Sequence, residues 1–267
     1  MDLGFKQVHV LVTGASGDIG SVITKLFLEH GAYVTAQYNT KPGPLTEIKA
    51  KASDKLAIVQ ADVTSEAAVK ELFEQAGQFF KQEVQVLILN HGIFPADDID
   101  LVDMDLSQWQ RCVDINMTGS FLAGREFLRR LRQPRANCEP DMSKVTVVVT
   151  GSTSGDFGEE GHIDYACTKS ALQVGFIRTL KNEIVKIAPE GRVNAVSPGW
   201  VDTTMAKPLF ADETLLKRTL AATPLGRIAT THEVATQVLL LASSTASRHV
   251  TGINIIFAGG LEGRILL

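Results

Sequence analysis

Seven short apolar runs, separated by stretches of helical periodicity, leave this chain few ways to fold. The runs at 8–12, 33–37, 56–60, 84–89, 145–149, 192–196 and 254–257 are rich in valine, isoleucine and leucine, as strands are. The run at 84–89 is almost wholly apolar, which suits a strand covered on both faces. Between them the spacing predicts helices over 18–30, 45–52, 106–131, 213–221 and 232–242. A further helix is capped at Thr64 or Ser65 and runs toward Phe80, and another carries Tyr165 to about Ile187. Repeated βα units imply a doubly wound, mostly parallel α/β sheet with helices on both faces. No linker divides the chain, so 1–267 is expected to be a single domain.

A chain of 267 residues can bury a large core, and 45% hydrophobic with 21% charged residues is an ordinary globular balance. A net charge of −4 with a pI near 5.9 argues against nucleic acid as a partner. No apolar run reaches the length of a membrane span. The N-terminus enters a strand within a few residues, which leaves no room for a signal peptide and makes the cytoplasm the expected location. Cys112, Cys138 and Cys167 have neither metal-ligand spacing nor an even count, so reduced thiols and no metal site are expected.

In an open parallel sheet, ligands bind beyond the carboxyl ends of the strands, where strand order reverses. Gly14, Asp62, Asn90, Ser152 and Pro198-Gly199 all fall just after a predicted strand. Gly14-x-x-Gly17-x-x-Gly20 follows the first strand and opens a helix, a place for the phosphates of a dinucleotide. Tyr165 and Lys169 lie four apart on a helix, so the ammonium can sit beneath the phenol and favour its ionised form. Ser152, thirteen residues before Tyr165, adds a hydroxyl that can hold a substrate oxygen. These are the parts of a hydride-transfer site.

At these residues the chain resembles the short-chain dehydrogenase/reductase family, with its Rossmann-type fold, over nearly the full length. The resemblance makes Asn116, Ser152, Tyr165 and Lys169 the catalytic set. It assigns cofactor contacts to Gly14, Ser16, Gly17, Ile19 and Gly20, to Asp62-Val63 beside the adenine, and to Asn90 and Gly92. Pro198, Gly199, Val201 and Thr203 would grip the nicotinamide carboxamide, and Lys169 and Tyr165 its ribose. It further implies that Ser152 and Tyr165 bond a carbonyl oxygen, that Tyr165 gives the proton, and that Lys169 lowers the phenol pKa. Asn116 would anchor a water that carries a proton away from Lys169. A homodimer or homotetramer is implied by the resemblance alone.

The chain departs from that pattern in places. The glycine spacing is that of the family's longer branch of epimerases and dehydratases, which keeps such an activity as an alternative beside a non-catalytic cofactor sensor. Asp18 stands where a glycine approaches the pyrophosphate; it is expected to cap the helix and face away. His91 replaces an alanine and is expected to be packed or solvated. The terminal strand ends at Ala258-Gly259-Gly260 without the frequent aspartate.

At the end of the second strand a carboxylate would select NAD. Here stand Tyr38, Asn39, Thr40 and Lys41, with nothing to repel a 2′-phosphate, which points to NADP(H). NAD(H) stays open, because Tyr38 can bond a bare ribose hydroxyl and the arginine of many NADP users is replaced by Gly17. The substrate is expected to be a small carbonyl or alcohol compound. The segment of about 200–227, with Trp200, Met205, Leu209 and Phe210, and the loop with Phe157, His162 and Ile163 would surround it. Asp156, Glu159 and Glu160 read as solvated loop charges. Arg125, Arg129, Arg130, Arg132 and Arg135 read as a solvated helix C-terminus.

Overall fold

The computed structural model describes residues 1–261, apart from the side chains of Ser53, Pro208 and Leu209, so the expectation placed on Leu209 lies outside the described residues. Strands β1 (His9–Val12), β2 (Tyr33–Tyr38), β3 (Leu56–Gln60), β4 (Val86–Leu89), β5 (Thr146–Thr150), β6 (Arg192–Pro198) and β7 (Asn254–Phe257) form one sheet. Their order is β3-β2-β1-β4-β5-β6-β7, and every neighbouring pair is parallel. The chain starts in the middle at β1, works outward to β3, then crosses back to β4. The reversal between β1 and β4 opens the crevice that such sheets use for ligands.

Side chains alternate across the sheet. Val10 and Val12 of β1 point into one core with Val34, beneath helices α1 (Asp18–Glu29) and, later in the chain, Thr231–Ala242. Leu11 points into the other core with Leu87 and Val147. The helices α2 (Leu45–Ala52), α3 (Glu66–Phe80), α4 (Leu106–Cys112) and α5 (Gly119–Arg132) come next in chain order. They are succeeded by α6 (Ser154–Phe157), α7 (Ile163–Ser170), α8 (Ile177–Ile184), α9 (Lys207–Phe210), α10 (Glu213–Ala222) and α11 (Thr231–Ala242). Phe73 of α3, Phe127 of α5 and Ile177 of α8 are fully buried in the second core. Each such side chain contributes roughly 1.5–3 kcal/mol by leaving water.

The two long helices are not uniform. The predicted helix over 106–131 runs α4, a π turn (Val113–Thr118), then α5. The Tyr165 helix runs α7, a π turn (Ala171–Phe176), then α8. A π turn inserts one residue and rotates the rest of the helix, and such turns gather at functional sites. Asn116 and Gln173 both sit in them. Apolar periodicity reads through a single widened turn, so neither was visible in the pattern. No helix among the described residues is long and apolar enough to cross a membrane.

The structure corrects the reading of the arginine run at Arg125, Arg130 and Arg135, while Arg132 is exposed at the helix end as expected. Arg130 reaches Glu74 at 2.6 Å and Glu126 at 2.9 Å; Arg135 reaches Glu74 at 2.8 Å and the fully buried Glu83 at 2.8 Å. Arg125 pairs with Glu66 at 2.5 Å. The run therefore fastens α5 to α3, through glutamates far off in the chain that the sequence could not pair with it. The hydrogen bond from Arg130 is the main reason Glu74 titrates at about 2.

His9 is fully buried in β1, where its Nδ1 meets the Gln82 carbonyl at 2.9 Å and its Nε2 meets Thr35 Oγ1 at 2.9 Å. A carbonyl only accepts, so Nδ1 carries the proton and Nε2 accepts from Thr35. Burial lowers its pKa from 6.5 to about 4. The unfolded chain binds this proton first, so stability present above pH 6.5 is lost as pH falls toward 4. His9→Gln is expected to flatten the fall in unfolding free energy over that window by roughly 2–3 kcal/mol, measured by urea unfolding at several pH values. An unchanged slope would contradict a buried, neutral His9.

Candidate active site

The crevice at the strand reversal is a cleft of about 1470 Å³. Its floor is the turn between β1 and α1. Gly14 has φ +61°, and a Cβ there would lie 2.8 Å from the His91 Cα. Gly20 packs so closely that its Cβ would meet the Gly14 carbonyl oxygen at 2.3 Å. Only glycine allows this crossing of turn, helix and β4. Gln37 of β2 holds the turn from outside: its Oε1 accepts from Gly14 N at 2.8 Å and its Nε2 donates to Ala61 O at 2.6 Å. The first amides of a helix have no intrahelical acceptor. Here Gly17 stands at the N-cap and no side chain caps them, so a phosphate fits the donors that α1 presents.

Asn90 closes the next corner. Its Nδ2 donates to Thr13 O at 3.3 Å and Gly14 O at 3.2 Å, while its Oδ1 accepts from Thr150 Oγ1 at 3.2 Å. His91 is buried, with Nδ1 2.7 Å from Thr13 Oγ1 and Nε2 3.4 Å from Ser120 Oγ. Burial, and then the charge of Lys169, lower its pKa to about 4. It is a packed, neutral residue, as expected.

Deeper in the cleft, Lys169 is buried and its Nζ donates to the Thr150 carbonyl at 2.8 Å. That Nζ lies 5.5 Å from the centre of the Tyr165 ring, so the helical spacing does place the ammonium beneath the phenol. Burial lowers Lys169 to about 8 and raises Tyr165 to about 12. The group that pulls the phenol down is the Ser152 hydroxyl, and the charge of Glu159 pushes it up. The expected lowering of Tyr165 by Lys169 is thus not what the site shows. Desolvation of the phenol is the largest cause of its rise, and the Lys169 charge is not among the causes.

Asn116 is buried in its π turn. Its Oδ1 accepts from Ile93 N at 2.8 Å, and its Nδ2 donates to Ile93 O at 3.0 Å and Thr168 Oγ1 at 3.1 Å. A Cβ on Gly92 would come within 3.3 Å of Asn116 Oδ1 and 3.5 Å of Lys169 Nζ. The bare glycine therefore lets amide and ammonium approach the backbone closely. Ser152 is set by Gln173, whose Oε1 accepts from Ser152 N at 2.9 Å and whose Nε2 donates to Asp156 at 2.6 Å. Gln37 and Gln173 were missed in the sequence. Each left a signal, a glutamine inside an apolar strand and one four residues past Lys169 on the same helix face.

Ser16, Gly17, Ile19, Asp62, Val63, Gly92 and the 198–203 residues Pro198, Gly199, Val201 and Thr203 all line the cleft. Tyr38 and Lys41 do not. The wall at the end of β2 is Asn39 and Thr40, on the Gln37 side of the strand, while Tyr38 alternates to the other face and packs against the first core. Asp156 and Glu160 are exposed, as expected, although Asp156 also accepts from Asn254; half-buried Glu159 departs from that reading, because it accepts from Ser154. Phe94, which the sequence did not single out, stands edge-on to Tyr165 at 4.9 Å and contacts His162 at 4.1 Å.

A family model described as enoyl-(acyl carrier protein) reductase matches residues 14–262. A 3-oxoacyl-[acyl-carrier-protein] reductase FabG of Vibrio harveyi is 31% identical over 94% of this chain and 96% of its own. A cis-4-hydroxycyclohexanecarboxylate dehydrogenase of Sinomonas cyclohexanicum is 31% identical over 97% and 98%. The sorbose reductase sou1 of Schizosaccharomyces pombe is 32% identical over 97% of each chain. Among solved structures, a short-chain dehydrogenase/reductase SDR:glucose/ribitol dehydrogenase from Brucella melitensis superposes with a TM-score of 0.85 at 28% identity, covering 99% of this chain and 100% of its own.

Asp18 corrects another expectation. It is the first residue of α1 and makes no capping bond; its carboxylate instead accepts from Thr204 N at 2.6 Å and Thr204 Oγ1 at 3.4 Å. It thereby ties the segment after β6 to the glycine turn across the mouth of the cleft. Asp18→Ala is expected to free that segment, speeding chymotryptic cleavage after the exposed Met205 and after Phe210 by about tenfold or more, the lower end of the worth of one hydrogen bond to a charged group. Unchanged cleavage kinetics would show that the tie does not hold the segment.

Proposed function

The chain belongs to the short-chain dehydrogenase/reductase family and is a nicotinamide-dependent oxidoreductase, and from that premise we propose that it reduces a small ketone with NADPH. The observation that carries this reading is the buried Lys169 beneath Tyr165, with the Ser152 hydroxyl as the phenol's neighbour, in a cleft of about 1470 Å³ that also takes in the glycine turn and the end of β2. When bound, the nicotinamide supplies the hydride.

The roles come from the residues themselves. Gly14, Ser16, Gly17, Ile19 and Gly20 would hold the pyrophosphate on the α1 amides, and Asp62 and Val63 the adenine. Asp62 Oδ1 is occupied by Thr64 N at 2.9 Å, which leaves Oδ2 for an adenine amino group. Asn90 and Gly92 would shape the middle of the site, and Pro198, Gly199, Val201 and Thr203 the carboxamide end. Lys169 has one protein acceptor, the Thr150 carbonyl, among the described residues, and an ammonium has three protons. The others suit the ribose hydroxyls and a water between Lys169 and Asn116. Tyr165, kept protonated by burial, gives its proton to the substrate oxygen as charge develops there. Phe94, Phe157, Trp200 and Met205 make an apolar surround for a neutral ketone. The segment of about 200–227 is the substrate-binding part of a single domain, in a cytoplasmic homo-oligomer. The epimerase alternative loses support, because relatives named as reductases and dehydrogenases match end to end.

NADPH is favoured because Asn39 and Thr40, without a carboxylate, form the wall at the end of β2. With Tyr38 packed on the core, the case for a bare ribose weakens.

The direct test monitors loss of the reduced cofactor's absorbance against ketones, quinones and aldehydes. Tyr165→Phe is expected to lower turnover by roughly 10²–10⁴-fold while leaving NADPH affinity within about twofold. Retention of most of the rate would remove Tyr165 from the chemistry. Asn39→Asp is expected to weaken NADPH against NADH by about tenfold, since like charges about 4 Å apart cost roughly 1–4 kcal/mol at a protein surface. If wild type already prefers NADH, the cofactor assignment is wrong.

A further inference from the structure

A chain of three side chains leads away from the reacting point. Ser154 Oγ donates to Glu159 Oε2. Ser152 Oγ lies 3.0 Å from Ser154 Oγ and accepts from Ser154 N at 3.2 Å. A hydroxyl has one proton, and an ionised carboxylate only accepts. The Ser154 proton is therefore committed to Glu159, which leaves Ser152 as the donor between the two serines. The backbone supports this arrangement independently. Gln173 fixes Ser152 N, Gly158 with φ +77° turns the chain back so that Glu159 faces Ser154, and both Ser152 and Ser154 are buried.

We propose that Glu159, acting through Ser154, is a positioning residue that holds the Ser152 proton away from the cleft until charge develops on the substrate oxygen. The inference rests on the oxidoreductase reading above but goes beyond its four catalytic residues. In the ground state a neutral ketone gains little by taking the Ser152 proton from Ser154, since one neutral hydrogen bond replaces another. As the carbonyl carbon receives hydride, its oxygen becomes anionic, and a charge-assisted bond is roughly twice as strong. Ser152 then turns from Ser154 to the oxygen. Its bond is made chiefly in the transition state, which raises turnover where equal binding of substrate and transition state would not. Ser154 keeps its bond to Glu159 throughout, so no charge is left unpaired.

Neutron diffraction from crystals of the deuterium-exchanged, full-length protein tests the direction of each hydroxyl without any substrate. The Ser152 deuteron is expected on the line to Ser154 and the Ser154 deuteron on the line to Glu159. A Ser152 deuteron pointing into the cleft, or a deuteron on Glu159, overturns the proposal. Kinetics tests the consequence, using the ketone that turns over fastest in the cofactor assay. Ser154→Ala frees the Ser152 proton to bond the ketone in the ground state. KM and kcat should then fall together by about 2–10-fold, with kcat/KM held within about twofold. Glu159→Ala should lower KM similarly, and should add no further change in KM once Ser154 is alanine. A loss of kcat/KM with KM unchanged, or full additivity, would mean that the two residues only brace the loop. Failure of wild type to reduce any ketone would sink the functional reading, whereas the deuteron positions judge the serine–glutamate chain in either case.

Discussion

Asn90 is the point on which the site depends. A parallel sheet ends in unpaired backbone groups wherever its strands diverge, and here β1 and β4 diverge at the reversal of strand order, with the end of β5 beside them. One side chain spans them, with Nδ2 on the carbonyls of Thr13 and Gly14 and Oδ1 on the Thr150 hydroxyl. The same Thr150 offers its carbonyl to Lys169. The glycine turn that suits a phosphate and the ammonium that suits a ribose are thus referenced to one residue. A single amide sets the distance between the two halves of the cleft.

Lys169 shows what the arrangement costs. Moving its pKa from 10.5 to about 8 corresponds to roughly 3 kcal/mol of destabilisation at neutral pH, set against a net stability of only about 5–15 kcal/mol for a typical domain. Burial of the neighbouring phenol acts the other way on its proton and keeps it on the oxygen. A protein selected for stability alone would fill this space with apolar side chains. Keeping a cation and a phenol there makes sense when a ligand completes their hydrogen bonds.

Much of this was legible in the sequence. The seven strands, their parallel arrangement and the placing of Gly14, Asn90, Ser152 and Pro198 at strand ends come from short apolar runs and from turn residues, which are local signals. Contacts between distant segments were not. Asp18 and Thr204 are 186 residues apart, and nothing in either segment marks the other. Arg135 and Glu83 meet across the chain for the same reason. Tyr38 was misplaced because the family comparison gives a position at a strand end, whereas which face it takes depends on the pleat. The π turns that carry Asn116 and Gln173 are invisible to a period that averages over several turns. The hydrogen-bonded chain from Ser152 to Glu159 needed the loop's path, which Gly158 permits but does not announce.

The central claim is that Lys169 is held with donors in reserve for the cofactor. The measurement that tests it most directly is the pH dependence of NADPH and NADH affinity, read by nicotinamide fluorescence in wild type and in Lys169→Met. With its folded pKa at about 8, Lys169 loses its proton as pH rises through that value, and with it the charged donors. Affinity in wild type should fall across that interval for both cofactors, while Lys169→Met should bind more weakly and show no break there. The same break in both proteins, or wild-type affinity flat across it, would contradict the account.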